Sequence, residues 1–178
     1  RGFPFPSNRK DAQLEAVVAA VEKAVAGVSS LKLTRLEALS PLDRLVLVEK
    51  HLVSPQFIEN PVHRAVVLRA DEAVSVMVNE EDHLRIQCLM PGLALEEGWE
   101  LASRVDDLLE ETLEYACSEE FGYLVTCPTN VGTGLRASVM LHLPGLVATR
   151  MLGEVISGLG KLGLTVRGLY GEGTKATG

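Results

Sequence analysis

The stretch that most constrains the fold of this 178-residue chain lies between Ala65 and Leu89. Three alternating segments, Ala65–Arg69, Ala73–Asn79 and His83–Leu89, are separated by a tight Asp71-Glu72 turn and by the string NEED. A period of two sends successive side chains to opposite faces of a strand, and connections this short join antiparallel neighbours. The region therefore predicts a β-meander.

Helical spacing surrounds it. Leu14, Val17, Val18, Val21 and Val25 fall on one face of a helix predicted over Asp11–Val28. Leu31–Leu36 alternates as a strand. Ser40 is a good N-cap with Pro41 at the first helical position, and that helix runs to about His51 before SPQ breaks the pattern near Pro55. After Pro91-Gly92, Ala94–Cys117 reads as a long acidic helix with Trp99, Ala102, Val105, Leu108, Leu109 and Leu113 available for burial. A strand over Gly122–Thr126 leads into the loop CPTNVGTG. Arg136–Leu143 alternates again, Pro144-Gly145 opens a helix to about Leu162, and Leu164–Leu169 is a closing strand. The order predicts one α+β domain over residues 1–178, an antiparallel β-sheet flanked by helices.

Composition narrows the function. A net charge of −7 and 4% aromatics disfavour a nucleic-acid binder, which needs a positive footprint or stacking platforms. No apolar run reaches the ~18 residues of a membrane span. The start lacks a signal-peptide layout. Cys88, Cys117 and Cys127 are too few and too widely spaced for a disulfide framework or a zinc site, which suits a reducing, cytoplasmic setting.

Alternation also sorts side chains into faces. Val74, Val76 and Val78 share one face of their strand, opposite Ser75, Met77 and Asn79. Arg85, Arg136 and Arg167 each oppose the apolar set of a predicted strand. As neighbours in one sheet they would converge on a polar cleft. Half-exposed sheets are common, so alternation alone favours three solvated arginines. By the same reasoning, Glu80-Glu81-Asp82 is an acidic turn.

The strings alter that balance. VNEEDHLRIQ (Val78–Gln87), CPTNVGTGLRASVMLHLP (Cys127–Pro144) and RGLYGEGT (Arg167–Thr174) occur in order, with KHLVSPQF (Lys50–Phe57) as a weaker fourth. In them the chain resembles the phosphagen, or guanidino, kinase family (the ATP:guanido phosphotransferases), and most closely its bacterial protein-arginine kinase branch. Met140 stands where free-arginine and creatine kinases usually show a histidine near the nucleotide base.

The resemblance implies ATP as phosphoryl donor, with Arg85, Arg136 and Arg167 on its phosphates. Arginine forks match phosphate oxygens and keep their charge. Mg2+ would be held mainly through nucleotide and water, so no metal ligand is assigned. Glu81 matches the catalytic carboxylate that aligns and deprotonates the acceptor guanidinium, with Glu80 supporting it. Glu172 matches a second carboxylate, Cys127 the reactive cysteine beside the guanidinium, and Asn130 lies in the adjoining loop as a substrate contact. His51 is placed near adenine by weaker analogy; a helix-end histidine explains it equally. Gly171 and Gly173 would let the last loop close over substrate.

The implied activity is transfer of the ATP γ-phosphoryl group to arginine in protein substrates. A zinc-binding activator and a Clp-type protease are implied as partners in protein quality control. A free-arginine kinase and a non-catalytic nucleotide- or phosphoarginine-binding fragment are the alternatives. The family carries an arginine-rich segment before RGFPFP and further sheet after the last loop, so the chain reads as a core truncated at both ends. A sheet edge left uncovered would invite a homo-oligomer.

Overall fold

Helix α1 (Asp11–Val25) buries Leu14, Val17, Val18, Val21 and Val25, the stripe its spacing dictates. It belongs to a computed structural model of the chain that describes residues 3–6 and 11–168. Two compact units divide between Ala137 and Ser138.

The first unit is built on a four-stranded antiparallel sheet: β1 (Leu31–Arg35), β2 (Ala65–Arg69), β3 (Val74–Val78) and β4 (Leu84–Cys88), in that order. Val67, Val76 and Ile86 lie in register across β2, β3 and β4. Valine suits these positions because its branched side chain fills a pleated surface. On this face the sheet meets α1 and α4 (Leu95–Glu110), through Val18, Val21, Leu101, Val105 and Leu109. The opposite face is also covered. Val66 and Met77 pack with Leu36, Val48, Val53 and Phe57, brought by α2 (Pro41–Glu49), α3 (Pro55–Glu59) and their connections.

Every residue of β3 is therefore buried, and the face expected to be polar is a second core. Ser75 tolerates this because its hydroxyl donates to the Leu52 carbonyl. Ser40 caps α2 as expected: its Oγ accepts from the Asp43 amide at 3.1 Å, and Asp43 Oδ2 accepts from the Ser40 amide at 3.3 Å. Pro55 starts a helix instead of ending a pattern, since Ser54 caps α3 from the position before it.

Helix α4 stops at Glu110, short of the expected Cys117. Its last turn carries Asp107, Glu110 and no base, and negative charge at the negative end of a helix favours termination. The strand expected over Gly122–Thr126 is reduced to β6 (Gly122–Tyr123), paired with β5 (Cys117–Ser118). Gly122 has φ +72, and a Cβ there would sit 2.7 Å from the Gly132 carbonyl oxygen, so only glycine fits.

The second unit holds α5 (Pro144–Ala148) and α6 (Leu152–Lys161). The single helix expected here is broken at Arg150, which has φ 60. Residues 136–143 and 164–167 form no strand. Alternation marks a face suited to burial, whereas a strand also needs a neighbour to accept its hydrogen bonds, and Val139 and Leu141 stay exposed. Arg85 therefore lies in the four-stranded sheet, and Arg136 and Arg167 do not.

Candidate active site

The β3–β4 connection is a tight loop whose geometry begins at Asn79. This residue has φ 64, a left-handed conformation that asparagine tolerates better than most side chains. Its amide donates to the His83 carbonyl at 3.0 Å, closing the loop. Its buried side chain donates through Nδ2 to the carbonyls of Leu14 (3.0 Å) and His63 (2.8 Å), tying the loop to α1. Oδ1 then faces His83 Nδ1 at 2.8 Å. Burial pushes the His83 pKa down, against the opposing pull of the Pro4 carbonyl and the Asp82 carboxylate.

Glu80 turns inward. Its Oε1 accepts from the Ser54 hydroxyl at 2.8 Å, and its Oε2 accepts from the Glu81 amide at 2.8 Å. Arg85 Nη1 lies 3.6 Å from the same Oε1, an ion pair too long for a hydrogen bond. Glu81 is exposed. It lines a cavity of about 160 Å³ together with Pro6, Leu14, Val62, Arg64, Asn79, Glu80 and Thr126. Arg64 is oriented by donation to the carbonyls of Asn79 (3.0 Å) and Phe57 (2.7 Å).

A second segment is fastened to this loop. Asp82 Oδ1 accepts from the Thr126 amide at 2.6 Å, and the Thr126 hydroxyl donates to the Glu81 carbonyl at 2.8 Å. Cys127, the next residue, is thereby held beside the Glu80–Asp82 loop. Its sulfur lies 2.9 Å from the Thr129 hydroxyl. The Asn130 amide donates to the Cys127 carbonyl at 2.9 Å in a short 3-10 turn.

The structure thus brings together Glu80, Glu81, Arg85, Cys127 and Asn130. His51 follows the end of α2 with φ 59, and its carbonyl accepts from Gln87 Nε2, which places it on the β4 face that also carries Arg85. Arg136 and Arg167 are exposed and lie outside any helix or strand. Glu172, Gly171 and Gly173 lie outside the described residues. Among the described residues no group of three or more His, Cys, Asp or Glu is arranged to hold a metal ion.

Ser54, Asn79, Asp82 and Thr126 position the site without having been singled out from sequence. Ser54 was legible as a helix cap, and Asn79 as an asparagine at a tight turn. The Asp82–Thr126 bond spans 44 residues and has no local signature.

A four-stranded sheet that presents a carboxylate loop beside a tethered cysteine agrees with the comparison to known families. Residues 13–178 match the model for the ATP:guanido phosphotransferase C-terminal catalytic domain, and the chain belongs to that family. Within it, the chain is 58% identical to the protein-arginine kinase of Desulforamulus reducens, over 99% of this chain and 51% of that protein. It is 55% identical to the protein-arginine kinase of Moorella thermoacetica, over 100% of this chain and 53% of that protein. The chain spans about half the length of the curated relatives it matches.

Solved structures agree on the fold. The duplicated taurocyamine kinase of Schistosoma mansoni with bound transition-state analogue components superimposes with TM-score 0.85 at 28% identity, covering 98% of this chain and 26% of that one. A lombricine kinase does so with TM-score 0.81 at 26% identity, covering 99% and 53%.

Proposed function

We propose that this chain carries the catalytic core of a protein-arginine kinase, which transfers the ATP γ-phosphoryl group to an arginine side chain of a protein. The observation that carries the proposal is the loop around Glu81: an exposed carboxylate on a backbone pinned from both sides, beside Cys127. The identity to protein-arginine kinases, about twice that to the taurocyamine and lombricine kinases, favours a protein acceptor.

A guanidinium has a pKa above ~12 and is a poor nucleophile while protonated. The Glu81 carboxylate aligns it and takes its proton as the N–P bond forms and the bond from the γ-phosphorus to the ADP oxygen breaks. Arg85 offers an exposed guanidinium fork suited to phosphate oxygens. Arg136 and Arg167 are assigned to the same phosphates, His51 to the adenine side, Glu172 and Asn130 to the acceptor. Mg2+, held mainly through nucleotide and water, would neutralise phosphate charge.

The three cysteines are free thiols, which suits a cytoplasmic setting. By the family resemblance, a zinc-binding activator and a Clp-type protease are the expected partners.

The test is to incubate the chain with Mg-ATP and unfolded casein and to look for acid-labile phosphate on arginine by mass spectrometry. Phosphoarginine that disappears with Glu81→Gln, while nucleotide binding persists, supports the proposal. Full activity of Glu81→Gln refutes the role of Glu81. Efficient turnover of free arginine would point to a small-molecule acceptor.

A further inference from the structure

Ser54 does two things with one hydroxyl. As the N-cap of α3 it accepts from the Phe57 amide at 3.2 Å. Its proton is directed elsewhere, to Glu80 Oε1 at 2.8 Å, across 26 residues of sequence. A hydroxyl has one donor and two acceptor lone pairs, so both bonds coexist.

Glu80 is only 12% exposed in its side chain and has both oxygens engaged. While Oε1 takes the Ser54 proton, Oε2 takes the amide proton of Glu81 at 2.8 Å. The Glu81 amide is thus held by a carboxylate that is itself held by Ser54, and the Cα–Cβ direction of Glu81 follows from that amide. The next peptide, on the far side of the Glu81 Cα, is fixed by the Thr126 hydroxyl on the Glu81 carbonyl. Arg85 Nη1, at 3.6 Å from the same Oε1, is too far to be held by a hydrogen bond from it.

We propose that Ser54 is a positioning residue for the active site, acting through Glu80 to fix the backbone from which Glu81 projects. The idea rests on the reading of Glu81 as the reacting carboxylate; the hydrogen-bond chain itself does not. Positioning of this kind matters because catalysis by a carboxylate demands alignment to a fraction of an ångström.

Capping and positioning separate by substitution. Ser54→Asp keeps a good cap but sets a carboxylate against Glu80, breaking the link by like charge. Ser54→Thr keeps both functions. The 178-residue chain is followed by amide hydrogen exchange resolved by NMR. In the unmodified chain the Glu81 amide should be protected although its side chain is exposed. In Ser54→Asp that amide should exchange about tenfold faster or more, with α3 amides unchanged, and Ser54→Thr should restore protection. In the phosphorylation assay Ser54→Asp should lower kcat with little change in KM for nucleotide.

An unprotected Glu81 amide in the unmodified chain overturns the proposal and needs no variant. So does a folded Ser54→Asp chain with unchanged Glu81 exchange. A chain that shows the exchange pattern but phosphorylates nothing keeps the hydrogen-bond link and refutes the assigned reaction instead.

Discussion

Asn79→Ala is the substitution whose cost the structure specifies most fully. The side chain makes three hydrogen bonds: Nδ2 to two main-chain carbonyls and Oδ1 to His83. Each is worth about 1 kcal/mol net, and more where the abandoned carbonyl cannot find water. Alanine at φ 64 adds about 1 kcal/mol of backbone strain. The expected loss is about 4 kcal/mol, a large part of the roughly 5–15 kcal/mol that keeps a domain folded. Urea unfolding followed by circular dichroism measures it. Asn79→Gly loses the same bonds without the strain and should be less destabilised by about 1 kcal/mol. An Asn79→Ala chain within about 1 kcal/mol of the original, or a glycine variant weaker than the alanine one, would contradict these assigned roles for the side chain.

Three further outcomes are expected. Asp82→Ala removes the charged acceptor of the Thr126 amide and should speed alkylation of Cys127 by iodoacetamide about tenfold, with an unchanged rate as the contrary result. Phe57→Ala empties the centre of the second core and should cost about 3–5 kcal/mol, read as a lowered Tm. The Arg69 guanidinium, bonded to Asp71 at 2.7 Å through two nitrogens, holds that carboxyl down to about 2 from an ordinary 3.8. Since the folded value is the depressed one, the contribution of the pair is complete above 3.8 and disappears as pH falls from there toward 2. An NMR titration should show the Asp71 midpoint rising toward the ordinary value in Arg69→Ala, short of it because the Ala73 amide still donates to the carboxylate.

What could be read in advance follows the range of the interactions. β2, β3 and β4 fall within a residue or two of the segments marked by alternation, and Ser40-Pro41 starts α2 as written, because strand period and capping are local. The second face of β3 was misjudged. Ser75 and Met77 look half-polar, but Phe57 and Val48 arrive from elements whose packing has no trace in β3 itself. Residues 136–143 alternate as well as β4 does and still form no strand, since pairing depends on a neighbour. The candidate site divides likewise. Glu81, Cys127 and Arg85 stood out through motif strings, whereas the bonds that orient them, Ser54 to Glu80 and Asp82 to Thr126, join distant segments.

β3 runs directly into Asn79 and Glu80, and every one of its residues is buried. Segments of this kind open only when the whole cooperative unit opens. The loop mounted on this strand shares that anchorage at its base, through the bonds of Asn79 to Leu14, His63 and His83. On heating, therefore, the geometry around Glu81 should persist until the first unit unfolds as a whole, so that loss of the site and loss of the fold share one transition temperature.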